Sequence, residues 1–296
     1  MKLGDLGEDR LLEQLLGPLS LKKAIVTEPG DDCAVVKIPD RSRLLVLKTD
    51  CVVEGVHFLR GTNALDVGWK AMMRPLSDFA ATSALPQFAL ITLMVPKQTE
   101  VTWTKELYRG LRRAAKRFGV SIVGGETSST PGPIAISTSA VGFVEKDRAT
   151  SRRGGKPGDD LFVTGRLGGA LKQKHLQFIP RIIESRWLTK NFSIHAMMDL
   201  SDGMGTDLPR LARASKVGFK VQTENLPLTR GAKINDAISE GEDYELLFAI
   251  SPRDRSRLER DWAKKFQNLP LTRVGFFSQL STKDHQLLRR GYVHFQ

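Results

Sequence analysis

The sequence predicts a protein of mixed α/β (α+β) class that folds as two domains. Its 296 residues suffice for two domains of ordinary size. Hydrophobic residues make up 41% of the chain and charged residues 26%, which is typical of globular, core-forming proteins. Short apolar runs alternate with longer amphipathic stretches without a sustained repeat, and this alternation favours a mixture of strands and helices.

Eight short apolar runs predict β-strands. In the clearest of them, residues 134–144, Ile134 and Ile136 alternate with Ala135 and Ser137, which is the period of two expected of a strand with two different faces. The predicted strands are residues 44–47, 88–95, 120–123, 134–144, 161–164, 197–200, 219–222 and 245–250.

A helix is predicted over residues 66–84, where an apolar stripe repeats at helical spacing. Pro75 lies inside this stripe and is expected to kink the helix or split it in two. The stripe consists of Trp69, Met72, Met73, Leu76, Phe79 and Ala80.

A second amphipathic helix carries the densest group of cations in a chain of net charge +12. A solvated outer face is the favoured interpretation, and a nucleic-acid contact is the alternative. Zinc-finger, RNA-recognition and P-loop motifs are absent from the sequence, so we do not expect nucleic acid as a partner. The cations are Arg109, Arg112, Arg113, Lys116 and Arg117.

The best domain boundary is the polar, glycine-rich connector of residues 145–160. It divides the chain into residues 1–145 and 146–296, each of domain size. No apolar stretch reaches 18 residues, so no membrane span is expected. The N-terminus carries acidic residues and lacks the apolar region of a secretory signal. Cys33 and Cys51 do not amount to a disulfide framework, which favours the reducing cytoplasm.

Carboxylates cluster in short segments at the ends of apolar runs. Such positions meet in one crevice in α/β proteins, where ligands usually bind. Carboxylate oxygens suit Mg²⁺, and with Mg²⁺ an acidic cluster becomes a phosphate site. The segments are Gly30-Asp31-Asp32, Thr49-Asp50, Ser77-Asp78, Gly124-Gly125-Glu126-Thr127, Asp199-Leu200-Ser201-Asp202-Gly203 and Gly241-Glu242-Asp243.

Each of these segments also has a purely structural interpretation. The Gly-Asp-Asp segment is a common turn, and Ser77 and Asp78 could form an exposed patch on the helix face opposite Trp69. The segment 199–203 could cap a helix, although a cap can also bind phosphate. The order of the segments along the chain discriminates better than any one of them.

In this order the segments resemble the thiamine-monophosphate kinases, a family in the superfamily of aminoimidazole ribonucleotide synthetase and selenophosphate synthetase. The resemblance begins at residues 6–8, reaches residues 291–295 and covers nearly the whole chain. The segments Glu-Gly-Val-His-Phe (54–58) and Gly-Glu-Asp-Tyr-Glu-Leu (241–246) favour the kinases over their relatives. The acidic motifs themselves are largely shared across the superfamily.

The resemblance implies a two-domain aminoimidazole ribonucleotide synthetase-like fold. The N-terminal domain would bind ATP and Mg²⁺ and pair through its sheet in a homodimer, while the C-terminal domain would close over the substrate. The implied activity is that of a transferase in thiamine biosynthesis: ATP phosphorylates thiamine monophosphate to thiamine diphosphate by direct in-line transfer. Two alternatives stay open, namely a superfamily relative that activates a different small substrate and a non-catalytic nucleotide-binding protein.

The resemblance also implies roles for individual residues. Asp50, Asp78 and Asp202 are expected to be catalytic. The expected Mg²⁺ ligands are Asp32, Thr49, Asp50, Asp78, Glu126, Asp199 and Asp202. The expected nucleotide-binding residues are Tyr108, Gly125, Arg152 and Ser201, and the expected substrate-binding residues are His57, Glu242 and Tyr292.

The chain departs from the family pattern at four places. Arg74-Pro75 stands where Val-Asn is usual, and Lys48-Thr49 replaces a pair of threonines before the metal aspartate. Glu126 replaces an aspartate, and residues 165–180 are shorter than the usual helical stretch. Within this shorter segment, Lys172, Lys174 and His175 are expected at the surface rather than at a phosphate.

Overall fold

A computed structural model describes residues 3–6, 8–16, 22–27, 29–172 and 174–280. The first half of the described chain forms a five-stranded sheet in the order β1-β2-β5-β3-β4. Its strands are β1 Ala34–Lys37, β2 Arg43–Val53, β3 Leu85–Val95, β4 Ser121–Ser129 and β5 Ala135–Glu145. Its helices are α1 Leu3–Leu6, α2 Glu8–Leu16, α3 Ala64–Ala81 and α4 Val101–Arg117.

The second half forms another five-stranded sheet, in the order β7-β9-β6-β10-β8. Its strands are β6 Asp160–Thr164, β7 Ile194–Asp199, β8 Gly218–Val221, β9 Leu246–Ile250 and β10 Leu271–Ser278. Its α-helices are α5 Lys174–Gln177, α6 Ile182–Asn191, α7 Met204–Ser215, α8 Ile234–Ser239 and α9 Arg255–Lys265. Short 3₁₀ turns span Ala170–Lys172, Thr223–Asn225 and Pro252–Asp254.

The mixed α/β class is confirmed. All strand pairs are antiparallel except β3 and β4, which run parallel because α4 provides the crossover between them. All eight predicted strands are present. The strands β1 and β10 were not predicted, since β1 is only four residues long and Thr272 and Arg273 interrupt the apolar pattern of β10. The predicted boundary after residue 145 lies between the two sheets, and the division into separate domains stays a prediction.

Helix α3 is one continuous helix, so of the two effects expected of Pro75, a kink or a split, the split does not occur. Pro75 is buried, and the helix packs against both halves of the chain, including β2, β5, α6 and β7. Burial of its apolar stripe on several sides compensates for the backbone hydrogen bond that proline cannot donate.

Helices α3 and α4 approach each other at two reciprocal glycines. A Cβ at Gly68 would lie 2.0 Å from the carbonyl oxygen of Leu107, and a Cβ at Gly110 would lie 2.0 Å from that of Leu65. Only glycine permits backbones this close. The amphipathic prediction for α4 is confirmed, because its predicted cations are exposed.

One hydrophobic core runs through both halves and fixes their relative position. Met72 of α3 belongs to the same cluster of buried side chains as Phe162 and Phe248 of the second sheet. The buried Trp69 also donates its indole N–H to the carbonyl oxygen of Phe178 at 3.0 Å. Packing between the two halves of the chain therefore holds the side chains on either side of their junction in place.

Candidate active site

A cleft of about 860 Å³ lies between the two halves. Its walls come from α2, the loop before β1, β2 and α3 in the first half, and from α7 and the segment that joins it to β7 in the second half. Six of the residues predicted to be functional line it: Asp50, Asp78, Arg152, Asp199, Ser201 and Asp202.

Three buried carboxylates meet beside this cleft, and two of them, Asp78 and Asp199, line it. Asp32 precedes β1, Asp78 lies on α3, and Asp199 ends β7. Each offers an oxygen, and these oxygens all lie within 4.8 Å of one another. The Ser77 hydroxyl donates to Asp199 Oδ2 at 2.6 Å. Ser77 and Asp78 are therefore buried at the site, and the alternative that they form an exposed patch is wrong.

This arrangement fits a hard cation. Asp32 Oδ2 is buried and has no hydrogen-bond partner among the described atoms, although buried carboxylate oxygens are normally paired. Burial, followed by repulsion from Asp32, raises the pKa of Asp199 to about 7. Burial and the charge of Asp32 likewise raise the pKa of Asp31 to about 6. A divalent cation would favour the ionised carboxylates and satisfy the unpaired oxygen.

Lys48 and Arg152 supply fixed positive charge beside this trio. Lys48 Nζ lies 2.6 Å from Asp78 Oδ1 and 3.9 Å from Asp50 Oδ2. Burial opposes the ammonium charge most strongly, yet the charges of Asp78 and Asp50 raise the pKa of Lys48 overall. Arg152 donates from Nε at 3.1 Å and from Nη2 at 2.5 Å to Asp32 Oδ1, and from Nη1 to the carbonyl oxygen of Gly30.

The segment between β7 and α7 brings Ser201 and Asp202 to the cleft. Arg210 of α7 forms a short ion pair with the Asp202 carboxylate and also contacts Asp207 at 3.4 Å. Asp207 Oδ2 accepts a hydrogen bond from the backbone N–H of Asp202 at 2.9 Å. The expectation that this segment leads into a helix is confirmed, but the cap residue is Gly203 and no side-chain cap bond is present there.

Two predicted substrate residues meet at Lys70 rather than at the carboxylate trio. Lys70 is fully buried, and its ammonium forms a short ion pair with Glu242 and donates to the carbonyl oxygen of His57 at 2.6 Å. His175 Nδ1 lies 2.9 Å from both Lys70 Nζ and a Glu242 oxygen. Burial opposes the charge of Glu242, but the hydrogen bond from His175 and the charge of Lys70 lower its pKa to about 2.

The expectation that Lys174 and His175 are surface residues is wrong. Lys174 Nζ binds Glu245 at 3.0 Å and lies 3.8 Å from Asp243, and His175 is half-buried beside Glu242. Both residues belong to the short α5, which covers buried acids that the sequence pattern does not connect with them. Lys172 alone is exposed as expected.

The other predicted site residues lie away from the cleft. Thr49 is exposed on the opposite face of β2 from Asp50, and its hydroxyl lies 3.0 Å from Ser139 Oγ. Gly125 and Glu126 are exposed on the edge strand β4. Tyr108 lines a separate cavity of about 280 Å³ on α4, together with Lys105 and Arg112. Tyr292 lies outside the described residues.

Sequence reasoning missed Lys70, Ser77 as a hydrogen-bond donor, and Arg210. Lys70 is a cation within the apolar stripe of α3, which is a signal that it needs a buried partner. Arg210 follows Asp207 by three residues on α7, the spacing of a helical ion pair. The link between Ser77 and Asp199 joins residues 122 positions apart and has no local signal.

Comparison with known proteins agrees with this site. The domain family described as AIR synthase related protein, N-terminal domain, matches residues 30–144. A solved structure described as AaThiL complexed with AMPPCP and TMP is 32% identical, covers 99% of each chain and has a TM-score of 0.84. A crystal structure of thiamine monophosphate kinase from Aquifex aeolicus is 31% identical, covers 94% of this chain and 96% of its own, and has a TM-score of 0.76.

The relationship holds along the sequence as well as in three dimensions. A protein of Rhodopirellula baltica named thiamine-monophosphate kinase is 34% identical to this chain, and the match covers 97% of both. Identity of this degree over nearly the whole length of both proteins shows a common family. The chain belongs to the thiamine-monophosphate kinases.

Proposed function

We propose that this protein is an ATP-dependent kinase that phosphorylates thiamine monophosphate to thiamine diphosphate. The observation that carries the proposal is the meeting of the Asp32, Asp78 and Asp199 carboxylates from both halves, of which Asp78 and Asp199 line one cleft. Membership in the family and the likeness to a structure that holds AMPPCP and TMP support the same activity.

The acceptor explains why the site needs charges rather than a general base. A phosphate monoester is already an anion near neutral pH, so its oxygen can attack without losing a proton to the protein. The task is to place two mutually repelling phosphates in line and to neutralise them. Asp32, Asp78 and Asp199 would hold Mg²⁺, and Mg²⁺, when bound, would screen the phosphate charges.

The cationic side chains of the cleft complement this role. Arg152 orients the Asp32 carboxylate and leaves Oδ2 free, because its contacts with that carboxylate go to Oδ1. Ser77 fixes Asp199 through Oδ2. A ligand phosphate would thus meet carboxylates that are already oriented, so less conformational entropy is lost on binding.

The remaining assignments to individual residues rest on the resemblance. Within the cleft we propose nucleotide contacts for Arg152 and Ser201 and metal contacts for Asp50 and Asp202 besides the trio, and we propose substrate contacts for His57, Glu242 and Tyr292. The resemblance also assigns nucleotide contacts to Tyr108 and Gly125 and metal contacts to Thr49 and Glu126, but these four residues lie away from the cleft and their roles stay predictions. Lys70 and His175 already hold Glu242, so that carboxylate would orient the substrate pocket as well as contact the ligand.

A homodimer formed through the first sheet is part of the proposal. On the outer face of this sheet, Leu47 pairs with Val141, which in turn pairs with Phe88. Leu47 and Phe88 are 37% and 43% exposed, and Leu90 nearby is 46% exposed. An exposed apolar face of this kind is typical of a protein interface. A second copy of the chain that packs against this face would remove these apolar side chains from water.

We also propose that the protein works in the cytoplasm. Cys33 and Cys51 are both free thiols, as expected in a reducing compartment. Among the described residues, no helix is long and apolar enough to cross a membrane.

A product assay tests the proposed activity. Purified protein is incubated with ATP, Mg²⁺ and thiamine phosphate, and thiamine diphosphate is measured by chromatography. Asp199→Asn should lower the rate by about 100-fold or more, the scale of losing a key electrostatic contact. Asp261→Asn is the matched control, since Asp261 forms only a surface pair with Arg260. A folded native protein that binds ATP but makes no thiamine diphosphate would contradict the proposal.

A further inference from the structure

The Lys48 ammonium lies between the carboxylates of Asp50 and Asp78. Lys48 and Asp50 are two residues apart on β2, so both side chains point to the face of the sheet that α3 covers. Its ammonium contacts Asp78 Oδ1 at 2.6 Å and lies 3.9 Å from Asp50 Oδ2. A single positive group therefore lies between carboxylates from two different elements.

The acidic cluster also contains an oxygen that Lys48 does not satisfy. The buried Asp32 Oδ2 has no hydrogen-bond partner among the described atoms, and Asp32 lies beside Asp78 and Asp199. Asp78 connects the two features, because it contacts Lys48 and also belongs to the trio. The cluster thus offers one position already filled by an ammonium and one position that still needs a cation.

Arg74 adds a second fixed positive charge near Asp50 and Asp78. It lines the cleft, and its Nη1 donates to the carbonyl oxygen of Cys51 at 2.9 Å, next to Asp50 in the chain. The charge of Arg74 acts on Asp50 and Asp78, which are the two carboxylates that face Lys48.

We propose that the Lys48 ammonium permanently fills one cation position of the active site, between Asp50 and Asp78, so that this chain binds one divalent ion fewer than it would with threonine at position 48. The inference rests on the metal site of the proposed function. It makes Lys48 a specificity-determining residue for metal stoichiometry. A phosphate that binds next to Asp50 and Asp78 is then neutralised by the Lys48 ammonium, which is part of the chain, and needs no Mg²⁺ ion at this position.

The test counts bound metal rather than product. Free Mn²⁺ is measured by electron paramagnetic resonance during titration of the full chain with a non-hydrolysable ATP analogue present. Lys48→Thr should bind one more Mn²⁺ per chain than the native protein. Lys48→Arg keeps the charge and should match the native count, as should Lys37→Thr, which removes an exposed lysine from β1.

Each other outcome has a distinct meaning. Equal Mn²⁺ counts for the native protein and Lys48→Thr would overturn the inference while leaving the metal site intact. No Mn²⁺ on either protein would overturn the metal site of the proposed function and the inference with it. If circular dichroism shows that Lys48→Thr does not fold, Lys48→Gln decides, because it removes the charge but keeps most of the length of the side chain. Lys48→Gln should also bind one more Mn²⁺ than the native protein, and a count equal to the native one would overturn the inference.

Discussion

Arg152 and Asp32 lie 120 residues apart in the chain and meet directly at the junction of its two halves. The guanidinium donates to Asp32 Oδ1 from Nε at 3.1 Å and from Nη2 at 2.5 Å. Asp32 is only 2% exposed, so the groups around it, rather than water, must stabilise a charge there. This ion pair joins the connector after the first sheet to the loop before β1 and orients one member of the carboxylate trio.

Removal of Arg152 should therefore destabilise the protein in a way that Mg²⁺ relieves. Arg152→Met leaves the buried Asp32 charge uncompensated, which costs about 3 kcal/mol of unfolding free energy. A divalent ion bound at Asp32 would replace part of the lost charge, so the loss should shrink when Mg²⁺ is added. Urea unfolding with and without Mg²⁺ measures this. Arg43→Met, which breaks the surface pair with Asp40 and the contact of the guanidinium with the Phe143 ring, should lose much less stability, and the loss should be the same with and without Mg²⁺.

Gly125 should be irreplaceable for a steric reason, while its neighbour should not. A Cβ at Gly125 would lie 1.8 Å from the carbonyl oxygen of Ile91 on β3, whereas a Cβ at Gly124 would meet only a Leu90 methyl at 3.4 Å. Gly125→Ala must push β4 away from β3 and should cost a few kcal/mol of stability. Gly124→Ala should cost much less. Thermal unfolding of the two variants compares them, and equal losses would refute the steric explanation.

Asp243 should make stability fall as the pH rises. Burial raises its pKa from 3.8 to about 7, although Lys174 and the Gly168 N–H oppose this. The folded state therefore keeps a proton that the unfolded state releases, so its stabilisation is complete below about pH 4 and is lost as the pH rises toward 7. Asp243→Asn does not titrate and can still accept from Gly168.

Unfolding free energies of the native protein and Asp243→Asn, measured from pH 4 to pH 8, test this. The difference should shift in favour of the variant by a few kcal/mol, since one pKa unit corresponds to about 1.4 kcal/mol. Parallel curves for the two proteins across this range would show that Asp243 is ionised throughout.

Glu242 and Lys70 should behave as one buried unit. Glu242→Gln removes the charge that compensates the fully buried Lys70 and should cost about 3 kcal/mol. The double variant Lys70→Met, Glu242→Leu replaces the pair by apolar groups and should recover part of this loss. Glu224→Gln, at an exposed site, is the control. A double variant that is no more stable than Glu242→Gln in urea unfolding would show that the two residues do not act as one unit.

The carboxylate trio was predictable because its members carry local signals. Asp32, Asp78 and Asp199 each fall in a recognisable motif, and Asp199 lies in the predicted strand of residues 197–200 and ends the observed strand β7. The order of the motifs along the chain indicated the family, and their positions at the ends of apolar runs predicted that they share one cleft, which holds for Asp50, Asp78, Asp199 and Asp202. The eight predicted strands are present for a similar reason, since the hydrophobic period is a local property of the chain.

The surroundings of the trio could not be predicted, because they depend on contacts between distant segments. Lys174 and His175 were predicted at the surface, but α5 packs over the acidic residues Glu242, Asp243 and Glu245. Pro75 reads as a helix breaker, but packing on several sides keeps α3 continuous. In each case tertiary burial overrides a local preference.

The most direct measurement of the central claim is a crystal structure of the protein with Mn²⁺, a non-hydrolysable ATP analogue and thiamine phosphate, in which anomalous scattering locates the metal. The account predicts an anomalous peak bounded by Asp32, Asp78 and Asp199, nucleotide phosphates in the cleft, and the Lys48 ammonium still between Asp50 and Asp78. A metal between Asp50 and Asp78 with Lys48 turned away, or no metal at the trio, would contradict it.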